Sequence, residues 1–192
     1  MKKKHKSQMS PWTGYSLSAW AKMLAQYRFA VSPSNAHRIL GITLASGIHS
    51  ALALVEKMVH GDRIRNAVID PPPVFVIGHW RTGTTHLHEL LTQDADHTFP
   101  NTYECFDPNH FLLTEGTTDR ALRWLLPERR PMDNMAVGFE RPQEDEFALC
   151  GTGVGSPYVR IAFPNSPRRH ERYLDLEGLS ARELQRWKDG FR

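Results

Sequence analysis

The stretch "PPPVFVIGHWRTGTTHLH", residues 71–88, decides how this chain is read. Three prolines exclude a helix across 71–73, and the "VFVI" run that follows consists of strand formers. Bounded by Gly78, four consecutive apolar residues read as a strand buried on both faces. From Thr84 the spacing changes: Leu87, Leu90 and Leu91 share one face of a helix whose first turn holds Thr84 and Thr85. Strand, glycine-containing loop and helix in succession are the unit from which α/β proteins are built.

The loop itself, "GHWRTGTT" at 78–85, has the frame of the nucleotide-binding loop G-x-x-x-x-G-K-[ST], with Thr84 in the lysine position. Backbone N–H groups around Gly83 and Thr84, the positive end of the helix and the two threonine hydroxyls form a phosphate cradle. A glycine at 83 is expected because a side chain would block close approach of the backbone to a ligand. In nucleoside triphosphate enzymes the lysine neutralises the terminal phosphates, so its loss argues against triphosphate hydrolysis. Arg81 instead sets a bidentate donor at the centre of the loop, suited to the oxygen between a phosphate and its leaving group.

The rest of the chain narrows the setting. Its 192 residues suit one ordinary domain, and 40% hydrophobic with 23% charged residues describe a globular protein. The net charge of +3 is concentrated in "MKKKHK" at residues 1–6, which gives nucleic-acid binding no support. Arginines at 129–130, 141 and 168–169 read as solvated side chains. Cys105 and Cys150 have neither metal-ligand spacing nor a disulfide pattern, so no metal is expected and a cytoplasmic compartment is the default. No signal-peptide pattern follows the basic start. The apolar run 39–55, "ILGITLASGIHSALALV", falls short of a membrane span and reads as a helix buried in the core, with docking on a membrane surface as the alternative.

Along the chain, residues 1–70 read as a helical segment, with one helix over 16–30 and a second from Ala36 to His60 stopped by Gly61. Residues 71–192 form the second unit. There "PNTYECFDPNH" at 100–110 reads as a polar loop carrying Glu104, and "TTDRALRWLLPER" at 117–129 as a short helix. "RPQEDEFALCG" at 141–151 reads as a helix opened by Pro142 with acids in its first turn, and "PYVRIAFP" at 157–164 as a strand or extended link. An amphipathic helix begins near Ser180, with Leu184 and Trp187 inward.

"PVFVIGHWRTGTTHLHELL" resembles the 5′-phosphosulfate loop of the sulfotransferases that use 3′-phosphoadenosine-5′-phosphosulfate (PAPS), and "RPMDNMAVGFERPQEDEFAL" at 130–149 resembles a downstream segment of bacterial members. The resemblance implies a three-layer α/β fold with a P-loop-type parallel sheet. It implies PAPS as cosubstrate, gripped by Arg81, Thr82, Gly83, Thr84 and Thr85, with Arg81 stabilising the bridging oxygen as the sulfuryl group leaves. No metal is required. The acceptor would be a small molecule, glycan or lipid bearing a hydroxyl or amine, and a base must take its proton. Glu104 and Glu144 are the candidates, with Glu146 and His79 beside them; His79, His86 and His88 otherwise read as packing or capping residues.

The 3′-phosphate site of such enzymes, with its arginine and serine after a later strand, finds no match here, so an incomplete domain is expected. Two other readings stay open. One is a P-loop kinase or nucleotide-binding protein; the other is a non-enzymatic fragment associated with a membrane surface.

Overall fold

The computed structural model describes residues 12–79, 81–122, 129, 136–165 and 170–191. The basic start at 1–6, Arg130, the rest of 130–135 and Arg168–Arg169 lie outside them. Helix α1, Leu17–Gln26, opens on Ser16, whose hydroxyl accepts the Ala19 N–H at 3.3 Å. A 3-10 turn at Pro33–Asn35 leads into α2, Ala36–Arg65, a 30-residue helix. The expected stop at Gly61 does not occur. Gly61 is buried within the helix, which runs one more turn to Asn66.

Helix α1 is the centre of the core. Trp20, Met23, Leu24 and Tyr27 pack with Tyr15, Cys150, Val159 and Phe163, and Ile39 and Ile42 of α2 close over them. Tyr27 lies flat on Phe163, ring centroids 4.2 Å apart. Polar latches fix the register of the two helices. The Trp20 indole N–H donates to Thr43 Oγ1 at 2.9 Å, and the Leu17 N–H donates to Ser50 Oγ at 2.8 Å.

The remaining elements are α3 (Thr84–Leu91), α4 (Thr102–Phe106), α5 (Phe111–Leu122), α6 (Asp145–Thr152), α7 (Val159–Ala162) and α8 (Ala181–Gly190). Three of these correct the sequence reading. Residues 102–106 form a buried helix and not a polar loop, because Asn101 and Glu104 make a reciprocal capping box at its start. Helix α6 starts at Asp145 with Glu144 as its cap, three residues after Pro142, although the acids do occupy its first turn. Residues 159–162 form a helical turn, not a strand, since Val159 and Phe163 must both reach the α1 core. Helix α5 begins earlier than expected, and residues 123–128 lie outside the described set. Helix α8 matches, with Ser180 as its cap and Leu184 and Trp187 half-buried.

Helix α2 is covered on one face only. Ser46, Glu56 and Gly61 are buried, while Leu40, Leu44, Ile48, Met58 and Val59 are exposed by 61–69%. Complete core burial of 39–55 is therefore corrected to burial of a single stripe. With its lead-in, Pro33–Arg65 is long and apolar enough to cross a membrane by length and composition, with a mean hydropathy of 1.6 in its most apolar window.

The "VFVI" segment makes no strand pairing among the described residues. Val74, Phe75 and Ile77 are exposed, and the β pairings there are two isolated bridges, Asn101–Pro142 and Arg129–Ala136. A strand exists only against a neighbour that takes up its N–H and C=O groups. The described part of the chain supplies none to residues 72–79.

Candidate phosphosulfate loop and carboxylate cluster

The chain folds back at Thr82 toward His79. The Thr82 hydroxyl donates to the His79 carbonyl at 2.6 Å, and the Thr82 N–H donates to the same oxygen at 3.3 Å. Gly78 is required by crowding: a Cβ there would stand 2.7 Å from Thr84 Cγ2 and 2.9 Å from Thr82 Oγ1. Gly83 is required by conformation, with φ at 93°, and the protein leaves open space where its Cβ would be. Arg81 also sits in the left-handed region, at φ 66°. Arg81 and Gly83 thus bracket Thr82 in left-handed geometry, while the Thr82 N–H is turned inward to the His79 carbonyl.

Helix α3 begins at Thr84, directly after Gly83. Its first free N–H groups and its positive dipole end therefore open onto the loop. Arg81, Thr82 and Gly83 are exposed, and Thr84 and Thr85 are half-buried. All five predicted binding residues stand in one turn of chain. The expected apolar face of α3 is uncovered, with Leu87 and Leu90 about half exposed. His88 packs edge-on against Phe99, as a structural histidine does, and His86 is exposed.

The candidate bases gather on the neighbouring unit. Helices α4 and α6 pack together, and backbone hydrogen bonds link Thr102 N–H to Arg141 O at 2.8 Å and Gln143 N–H to Pro100 O at 3.0 Å. These bring Glu104 and Glu144 close enough for both charges to act on Cys105. The thiol of Cys105 is pushed up to about 12 by burial and by the charges of Glu104, Asp145 and Glu144.

Each acid has a different local role. Glu104 Oε2 accepts the Asn101 N–H at 2.8 Å, and burial raises its carboxyl above the usual range. Glu144 accepts a hydrogen bond from the Tyr158 hydroxyl. Glu146 is pushed up to about 7, first by burial and then by Asp145 and Glu144, against a hydrogen bond from Ser156; its Oε1 is buried without a hydrogen-bond partner. One ion pair joins this unit to the loop's helix, Arg141 Nη1 to Glu89 Oε2 at 3.1 Å.

A separate cleft of about 530 Å³ lies between α1 and α8, lined by Lys22, Gly155, Arg172 and Arg186 among others. It shares no residue with the 78–85 loop.

Residues 72–166 match the model of the sulfotransferase family. That span takes in the loop, α3 and both candidate carboxylates. The chain belongs to the sulfotransferase family. It is 49% identical over 177 residues to the omega-hydroxy-beta-dihydromenaquinone-9 sulfotransferases of Mycobacterium bovis and Mycobacterium tuberculosis. The alignment covers 92% of this chain and 45% of each relative, so the chain spans about half the length of these curated proteins. No solved structure matches it.

What the sequence reading missed is a buried group of His49, Asp107 and His110. Its only local signal is Asp-x-x-His at 107–110, and His49 lies 58 residues earlier.

Proposed function

We propose that this chain supplies the donor-binding part of a PAPS-dependent sulfotransferase. The supporting observation is the tight turn at 81–83 leading into the free N–H groups at the start of α3, with Thr84 in the lysine position and Arg81 set earlier in the loop. The phosphate oxygens of PAPS accept from the N–H groups of Gly83, Thr84 and Thr85 and from the threonine hydroxyls. The Arg81 guanidinium reaches the bridging oxygen, where charge develops as the S–O bond lengthens. Sulfuryl transfer moves a singly charged group between two oxygens, so fixed donors suffice.

Glu104 is the base in this reading. Its capping box fixes the carboxylate direction, and its raised affinity for protons suits it to take one from an acceptor hydroxyl. Glu144 already accepts a hydrogen bond from the Tyr158 hydroxyl, which occupies one of its oxygens. The acceptor is a hydroxylated lipid or isoprenoid quinone, a class supported by the names of the two mycobacterial relatives. The exposed Leu40, Leu44 and Ile48 on α2 give such an acceptor, or the membrane holding it, an apolar surface.

The fold belongs to the same proposal: a three-layer α/β architecture in which residues 72–79 are the first strand of a parallel sheet. Exposed Val74, Phe75, Ile77, Leu87 and Leu90 are the surfaces such a sheet would cover. The test is transfer of labelled sulfate from PAPS to an omega-hydroxylated menaquinone by the protein at its relatives' full length. Labelled sulfolipid that disappears with Arg81→Ala supports the reading. Transfer of phosphate from ATP–Mg²⁺ in its place would establish the kinase alternative.

A further inference from the structure

The geometry points to a divalent transition-metal site, of the zinc class, held by His49 Nδ1, Asp107 and His110 Nε2 where α2 crosses the α4–α5 turn. The three donor atoms converge: His49 Nδ1 lies 2.6 Å from His110 Nε2 and 3.3 Å from Asp107 Oδ1, and His110 Nε2 lies 3.6 Å from Asp107 Oδ1. Their side chains are only 16%, 10% and 3% exposed, for His49, Asp107 and His110 in turn.

The surrounding hydrogen bonds decide what these atoms can offer. Thr114 Oγ1 receives the Tyr103 hydroxyl proton at 2.8 Å and donates its own to the His110 carbonyl at 2.9 Å. It has only a lone pair left for His110 Nδ1, 2.9 Å away. The proton of the neutral ring is therefore on Nδ1, and Nε2 presents a lone pair to His49 and Asp107.

With Asp107 ionised, as a metal ligand must be, one hydrogen on His49 Nδ1 is available for three short separations. It can bond to His110 Nε2 or to Asp107, and whichever it chooses, His110 Nε2 and Asp107 Oδ1 face each other as two acceptors in a buried space. A divalent cation in exchange for that proton satisfies all three donors. Donors on a tetrahedral zinc ion sit about 3.3 Å apart, given bonds of about 2.0–2.1 Å. Two of the three separations are already near that value, and the third opens by about 0.7 Å. Thr114 then serves as the outer partner that fixes the His110 tautomer, as the ligands of such sites require. Three protein donors leave a fourth position for water. The site lies apart from Arg81 and ties α2 to the unit carrying Glu104, so its role is to clamp those elements together.

The test is titration of the metal-free full chain with Co²⁺ alone, followed by its visible d–d absorption, with Zn²⁺ competition and thermal unfolding alongside. One equivalent should bind with intense tetrahedral-type bands, Zn²⁺ should displace it and raise the melting temperature, and His49→Ala and Asp107→Asn should abolish the bands. Thr114→Val removes no ligand and should weaken binding about 10- to 100-fold, so the test survives if a ligand variant fails to fold. His86→Ala/His88→Ala should bind as the wild type does. Absence of a one-equivalent complex, or binding unchanged in Thr114→Val and His49→Ala, or loss of binding in the His86/His88 variant, would overturn the proposal.

Discussion

Arg141 and Glu89, 52 residues apart in sequence, are joined by an ion pair at 3.1 Å that connects α3, the helix following the 78–85 loop, to the segment entering α6. Arg141 is half exposed, so solvent screens the pair and its worth to stability is about 0–1 kcal/mol. It nonetheless links α3 directly to the segment that leads into α6. Arg141→Ala should leave the melting temperature nearly unchanged and lower kcat by an order of magnitude or more. Melting curves and steady-state rates on the same samples check this, and the charge swap Glu89→Arg with Arg141→Glu should recover part of the loss.

Gly83→Ala places a Cβ in the left-handed region, at a cost of about 1–2 kcal/mol. No protein atom occupies the space, so the strain is conformational, and the variant should relieve it by rotating the loop. The expected result is a fold that still melts cooperatively but binds adenosine 3′,5′-bisphosphate at least tenfold more weakly by calorimetry. Gly78→Ala should be worse, because its Cβ meets Thr82 and Thr84 directly.

Glu104→Gln preserves the shape of the side chain and removes the base. Turnover should fall about 10²- to 10⁴-fold while donor binding stays the same. Glu144→Gln should lose much less. Equal losses in the two variants would remove Glu104 from its assigned role.

Burial holds the Glu146 carboxyl up to about 7, against 4.5 when the chain is unfolded. The folded state binds this proton more tightly, so the stability it confers is complete below about pH 4.5 and is lost as pH rises through 7. The change is on the order of 2–3 kcal/mol once partial solvent access is allowed for. Glu146→Gln should flatten the pH dependence of the melting temperature between 5 and 8, as measured by differential scanning calorimetry.

The thiols of Cys105 and Cys150 are pushed up to about 12 and about 11, in each case chiefly by burial. Neither forms a thiolate at neutral pH. Ellman's reagent should label neither cysteine in the native protein and both in guanidinium.

The turn at the loop could be read in the sequence because its information is local: Gly78, Gly83 and the threonines at fixed spacing set the chain reversal and the start of α3. Helix α4 could have been read too. Asn101 and Glu104 carry the capping-box spacing, but Pro100 and the Asp107-Pro108 pair made the segment look like a loop. The turn at 159–162 was hidden for a different reason. Four residues, Val159-Arg160-Ile161-Ala162, are too few to reveal a period, and only the need to bury Val159 and Phe163 against α1 makes them helical. Convergence of His49 with Asp107 and His110 is a product of tertiary packing, which no window of sequence contains. The strand expected at 74–77 has no pairing partner among the described residues, and no window of sequence supplies one.

The most direct test of the central claim is equilibrium binding of adenosine 3′,5′-bisphosphate and of ATP–Mg²⁺ to this chain, with and without Arg81. The account predicts that the bisphosphate binds more tightly than ATP–Mg²⁺, and that Arg81→Ala or Arg81→Lys removes most of its affinity because the bidentate donor is gone. Tighter binding of ATP–Mg²⁺, or bisphosphate affinity unchanged in Arg81→Ala, would contradict it.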